Sequence, residues 1–89
     1  MLETLEHEKK RLKFRSWHRG TKEMDMLLGQ FWDAHMDQFD AKQTAEYARL
    51  LKNSDPDLYN WISGNEPLPP SEDSAVMQML MGFKLKSFG

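Results

Sequence analysis

The chain has 89 residues, a length at which one hydrophobic core can close but two cannot, so we expect a single domain over residues 1–89. It contains no cysteine, which excludes disulfide bonds, thiolate metal sites and a thiol nucleophile. The net charge of −2 at pH 7 is unevenly distributed, since residues 1–22 carry seven Lys/Arg against three Asp/Glu and residues 23–73 carry three against eleven.

Helical patterns account for almost the whole chain, which contains one valine and one isoleucine and has no alternating strand pattern. The first predicted helix runs from about Glu3 to Trp17. We expect it to end at Arg19-Gly20, because glycine readily adopts the left-handed conformation that commonly closes a helix.

The second predicted helix, from about Thr21 to Met36, has the clearest apolar face. The residues at helical spacing on this face are Met24, Leu27, Leu28, Phe31 and His35. We expect His35 to be an ordinary histidine at the edge of the core. Asp40 and Gln43 have the spacing of a capping box, which predicts a third helix ending near Asn53. The residues that this helix is expected to bury are Ala45, Ala48, Leu51 and Tyr47.

The segment Ser54-Asp55-Pro56-Asp57 predicts the start of a fourth helix, because it offers a side-chain cap, a proline in the first turn and acidic residues. This helix is expected to end at Gly64 and to bury Leu58, Trp61 and Ile62. Three prolines predict a loop over residues 65–70. Ser71 or Asp73 would begin a fifth helix with an apolar stripe of Val76, Met79, Leu80 and Phe83. The expected fold is all-α, a small bundle of about five helices.

The sequence has no pattern of a catalytic or metal-binding site. No two of His7, His18 and His35 have the spacing of metal ligands on one helix face. Ser16 lies in no glycine-flanked turn, and no glycine-rich phosphate loop occurs. We therefore expect a binding protein that has no catalytic residue and no metal site.

A basic run interrupted by aromatic residues precedes Gly20. Its charged members are Lys9, Lys10, Arg11, Lys13, Arg15 and Arg19, and Phe14 and Trp17 lie among them. Such cations could contact phosphates while the rings stack on bases, which makes a small nucleic-acid-binding helical domain the alternative hypothesis. A solvated helix face explains the spacing equally well, and an acidic protein surface is a third target. The acidic middle of the chain weighs against nucleic acid.

Two segments carry motifs. The first reads Arg15-Ser16-Trp17-His18-Arg19-Gly20-Thr21-Lys22-Glu23-Met24-Asp25, and the second reads Leu50-Leu51 followed by Asp55-Pro56-Asp57-Leu58-Tyr59-Asn60-Trp61-Ile62. Together they resemble the R-G-x-x-E and L-L…D-P-D-L-[FY]-x-W segments of the SdhE or flavinator family of succinate dehydrogenase assembly factors. The resemblance covers about residues 8 to 83, and the two segments lie at the family's separation.

The resemblance implies an assembly chaperone that is not an enzyme and is a monomer when free. Its implied partner is the flavoprotein subunit of succinate dehydrogenase or fumarate reductase, with no nucleic acid. The chaperone promotes covalent attachment of FAD to a histidine of this client, so FAD is attached to the client and is not held stably by the chaperone.

The resemblance assigns client binding to Arg19, Gly20 and Glu23, with Arg15 and Asp25 as supporting positions. His18 and Thr21 occupy positions where many family members have arginine and methionine, respectively. Client contacts made by that arginine and that methionine therefore cannot be assigned to this chain. Each motif residue also has a purely structural explanation. Gly20 could simply end the first helix, and Glu23 could be favoured by the helix dipole at the start of the second. Arg19 could be an ordinary surface cation. Asp55-Pro56-Asp57 is assigned chiefly to helix initiation, with client contact by this acidic corner as a weaker, secondary role.

The start of the chain is too acidic and polar for a targeting peptide, and no apolar stretch of about 18 residues occurs. We therefore expect a bacterial cytoplasmic protein without membrane insertion, with a mitochondrial matrix as the less favoured location.

Overall fold

The computed structural model describes the backbone of residues 2–88 and the side chains of residues 4–83. Within these residues it contains five α-helices: α1 Leu2–Trp17, α2 Lys22–His35, α3 Ala41–Leu50, α4 Asp55–Ser63 and α5 Ala75–Phe88. A 3₁₀ turn at Pro70–Glu72 precedes α5. No strand occurs in residues 2–88, so the all-α prediction with about five helices is confirmed.

The helices α1 and α2 form the most extensive helix pair, and Gly29 allows their close approach. A Cβ at Gly29 would overlap the ring of Trp17. The Trp17 indole donates to Asp33 Oδ2 at 3.1 Å, and the Trp32 indole donates to the Lys9 carbonyl at 3.1 Å. These contacts hold α1 against α2 at two places and thereby position the turn between the two helices.

The core contains a stack of Trp32 on Tyr47, with ring centroids 4.5 Å apart. The Tyr47 hydroxyl lies 2.6 Å from Ser16 Oγ, which itself donates to the Leu12 carbonyl at 2.7 Å. Burial raises the pKa of Tyr47, so its phenol stays neutral and links α3 to α1. The other buried apolar residues are Leu12, Met24, Leu27, Leu28, Phe31, Phe39, Leu50, Leu51, Leu58, Trp61, Ile62, Val76, Met77 and Leu80. The partly buried ones are Met36, Ala48, Leu68, Met79, Met81 and Phe83.

The buried face of α3 differs from the predicted one. Tyr47 and Leu51 are buried as expected, but Ala45 is exposed and Ala48 is only half-buried. The residues of α3 that face the core are Thr44, Tyr47 and Leu50. The reason is the size of Tyr47, because its stacking on Trp32 turns this bulky face inward and the small alanines outward.

The cap signals locate the starts of α3 and α4 correctly. The Gln43 N–H donates to Asp40 Oδ1 at 2.8 Å and the Asp40 N–H donates to Gln43 Oε1 at 3.0 Å, which completes the capping box. The Asp57 N–H donates to Ser54 Oγ at 3.3 Å, as the second signal predicts. The end of α3 was misplaced, since the helix stops at Leu50 rather than near Asn53.

The predicted start of α5 is also wrong. Instead of beginning at Ser71 or Asp73, the helix begins at Ala75, and the Ser74 hydroxyl accepts from the Met77 N–H at 3.1 Å. The 3₁₀ turn occupies the predicted first residues, and extended backbone at Asp73 separates it from the helix.

Candidate partner-binding site

Arg19 lies in the turn between α1 and α2, and its guanidinium donates hydrogen bonds to groups of its own chain. Nε donates to Asp55 Oδ1 at 2.8 Å, while Nη1 and Nη2 donate to the carbonyls of Leu51 and Asn53, each at 3.0 Å. These carbonyls follow the end of α3, where helical partners are lacking and the helix dipole favours a cation. Only 11% of the Arg19 side chain is exposed.

Gly20 contacts the same carboxylate. Its N–H donates to Asp55 Oδ2 at 2.7 Å, and an added Cβ would lie 3.0 Å from that oxygen. The predicted left-handed conformation of Gly20 is wrong, because Gly64, with φ of 85°, is the one described glycine with positive φ. Close approach to Asp55, rather than the geometry of the turn, is the reason for glycine here.

Two residues at the start of α2 hold the other side of this turn. Asp25 Oδ1 accepts from the backbone N–H of Arg19 at 2.5 Å, and Thr21 Oγ1 caps α2 by accepting from the Met24 N–H at 3.2 Å. We call the contacts among Arg19, Gly20, Asp25 and Asp55 the arginine junction. It joins the α1–α2 turn to the corner between α3 and α4.

Glu23 has a different environment. Its side chain is exposed and forms no hydrogen bond or ion pair with the side chains that the structure describes. It lines a surface hollow of about 210 Å³ between the starts of α2 and α4, which we call the Glu23 hollow. The other lining residues are Thr21, Met24, Asp55, Pro56 and Tyr59. Asp55 therefore belongs both to the hollow and to the arginine junction.

Arg15 is separate from these residues. It is half-buried on α1, does not line the Glu23 hollow and has no ion pair with a described side chain. Of the five predicted site residues, direct contacts bring together Arg19, Gly20 and Asp25, and Glu23 lies beside them.

A sequence model described as the flavinator of succinate dehydrogenase matches residues 10–84, a range that includes the arginine junction and the Glu23 hollow. The chain belongs to this family. It is 40% identical over 80 residues to "Succinate dehydrogenase assembly factor 2-B, mitochondrial" of Drosophila melanogaster, covering 88% of this chain and 51% of the fly protein. It is 34% identical over 79 residues to "FAD assembly factor SdhE" of Acetobacter pasteurianus, covering 89% of this chain and 72% of the bacterial protein. This flavinator-family chain spans about half the length of the curated fly relatives that it matches.

The comparison corrects the expected location. A bacterial cytoplasm was the wrong prediction, because the fly relatives are named as mitochondrial proteins. The prediction rested on the acidic and polar first residues of this flavinator-family chain. Among the described residues, no helix is both long and apolar enough to cross a membrane. The same residues contain no group of three or more His, Asp or Glu that could hold a metal ion.

The sequence did not predict where Asp55 and Tyr59 lie in the candidate site. Asp55 was assigned chiefly to helix initiation and its pairing with Arg19 was not predicted, although the opposite charges of the two residues were a signal that they could pair. Tyr59 is 46% exposed beside the buried Leu58. Helical spacing could have predicted this exposure, since a helix that buries Leu58 and Ile62 directs Tyr59 outward.

The basic run that motivated the nucleic-acid alternative is divided among several environments. Lys9 is buried, Arg11 pairs with Glu8 at 2.6 Å, Lys13 lies 3.5 Å from Asp33 and Arg19 is in the arginine junction. The exposed Phe14 stacks on His18 with ring centroids 4.0 Å apart. Because most of the run contacts its own chain, support for a phosphate-binding face in this flavinator-family protein is reduced.

Proposed function

We propose that this chain is an assembly chaperone, without catalytic residues of its own, that binds the flavoprotein subunit of succinate dehydrogenase. It promotes covalent attachment of FAD to a histidine of that client, and the corresponding subunit of fumarate reductase is a second client. The observation that carries the proposal is the arrangement of the R-G-x-x-E residues. The arginine junction holds Arg19 and Gly20, and Glu23 is exposed beside a hollow.

The proposed role of the chain is to position the reacting groups of the client. Covalent attachment requires the client's histidine and the FAD ring to be held close together while water is excluded. Such positioning can lower a barrier by roughly 7–11 kcal/mol without proton transfer by the chaperone. The arginine junction suits this role, because it fixes the turn that presents Glu23 against the α3–α4 corner.

FAD is proposed to remain on the client throughout. The Glu23 hollow has a volume of about 210 Å³. Pockets for small molecules have roughly 300–1,000 Å³, so the hollow is small even for a ligand simpler than a dinucleotide.

The chaperone is proposed to be a monomer when it is free. Light scattering of the purified chain would measure its mass in solution and test this proposal.

Reconstituted flavinylation tests this function. The client subunit, produced without the chaperone, is incubated with FAD and purified chain, and covalent flavin is read as fluorescence of the denatured client band. We expect the wild-type chain to raise this signal and both Glu23→Ala and Gly20→Arg to lower it severalfold, with folding checked by circular dichroism. Asp37→Ala, which removes an exposed carboxylate outside the hollow, is the matched control.

The outcomes separate the function from the site. No rise with the wild-type chain would show that the chain is not a flavinylation factor for this client. If both variants raise covalent flavin as much as the wild-type chain does, the proposed function would stand but the assignment of Gly20 and Glu23 to client binding would be wrong.

A further inference from the structure

The Glu23 hollow has the size of one side chain rather than that of a cofactor. At protein–protein interfaces, a single anchoring side chain often fills such a pocket and accounts for much of the binding energy. The chemistry of the walls therefore indicates which side chain a partner would place there.

The walls combine an apolar base with one negative group that has no described partner. Met24 and Pro56 supply apolar surface, and Tyr59 presents a ring that is 46% exposed. Both Asp55 oxygens already accept hydrogen bonds from the arginine junction, whereas Glu23 has no described hydrogen-bond or ion-pair partner. Glu23 is thus the carboxylate of the hollow that is available to a ligand.

We propose that the Glu23 hollow receives one cationic side chain, arginine or lysine, from the surface of the client flavoprotein. This inference rests on the proposed function. The apolar stem of the cation packs on Met24 and Pro56, its head pairs with Glu23, and the ring of Tyr59 adds a cation–π contact.

Charge complementarity favours this occupant over others. Residues 23–73 carry eleven Asp/Glu against three Lys/Arg, so a cation is attracted from a distance. An acidic side chain would be repelled by Glu23. An apolar one would cover the Glu23 carboxylate without providing a partner, which is costly for a charged group.

Affinity measurements with the purified client subunit test the inference. We expect Glu23→Gln, which keeps the size of the side chain, to weaken binding about tenfold or more, as loss of a hydrogen-bonded charge pair does. Tyr59→Leu should weaken it by roughly two- to fivefold through loss of the cation–π contact, and Tyr59→Phe should weaken it less. Asp37→Asn is the control for a general change in charge and should change binding by less than about twofold.

Charge reversal gives the sharpest test. Glu23→Lys should bind more weakly than Glu23→Gln, because it places a cation against the cation of the client. Recovery of binding to Glu23→Lys by a client variant with one Lys or Arg changed to Glu would support the inference and identify the occupant. Equal affinities of Glu23→Gln, Glu23→Lys and wild type for a client that binds would overturn this inference and leave the proposed function standing. A wild-type chain that does not bind the client would remove both.

Discussion

The arginine junction and the Glu23 hollow share Asp55 and lie side by side, yet their charged groups differ in whether they have partners within the chain. In the junction, Arg19 is 11% exposed and its donors are satisfied by Asp55 and by carbonyls after α3. In the hollow, Glu23 is exposed and has no described partner. The R-G-x-x-E motif therefore has two parts: Arg19 and Gly20 build a rigid turn, and Glu23 is presented by it.

The largest expected effect separates the two regions by stability. Arg19→Ala should lower the free energy of unfolding by about 2–4 kcal/mol, because it removes the charged partner of Asp55 Oδ1 and leaves two carbonyls after α3 without their donor. Urea denaturation measures this loss. Arg15→Ala is the control, since Arg15 has no described ion pair, and it should change stability by less than about 1 kcal/mol. Equal effects of the two substitutions would contradict the structural role of Arg19.

An intermediate effect is expected at Gly20. Gly20→Ala should cost about 1–2 kcal/mol in stability, because its Cβ would press on Asp55 Oδ2 at 3.0 Å. In an Asp55→Ala background this cost should vanish, as a double-mutant cycle would measure. Gly64→Ala is the matched comparison, since its cost of about 1–2 kcal/mol comes from positive φ and should not depend on Asp55. A Gly20→Ala cost that is the same with and without Asp55 would mean that the close approach is not its cause.

These two glycines show which parts of the structure could be predicted from sequence. Gly64 ends α4 in the left-handed conformation that its local sequence indicates. Gly20 resembles it in sequence, but it is required by a carboxylate 35 residues away. Capping at Asp40 and Ser54 depends on neighbours three residues apart and was predicted correctly, whereas the arginine junction depends on packing of α1 and α2 against the α3–α4 corner.

The orientation of α3 was mispredicted for a related reason. Helical spacing alone permits a face with Ala45 and Ala48 or one with Thr44 and Leu50, and the choice depends on Tyr47 reaching Trp32 on another helix. The exposure of Tyr59 in the Glu23 hollow likewise depends on how α4 packs. The residues of each motif could be predicted from sequence, but their division between the junction and the hollow could not.

The smallest expected effect on stability is at Glu23, and it tests the comparison most directly. Glu23→Gln should change the free energy of unfolding by less than about 0.5 kcal/mol, because an exposed side chain without a described partner contributes little to the fold. The same substitution should lower client binding, whereas Arg19→Ala should lower both stability and binding. Measuring both quantities for each variant at a temperature where each is folded would separate the two roles. A Glu23→Gln chain as unstable as Arg19→Ala would show that Glu23 belongs to the structural part of the motif.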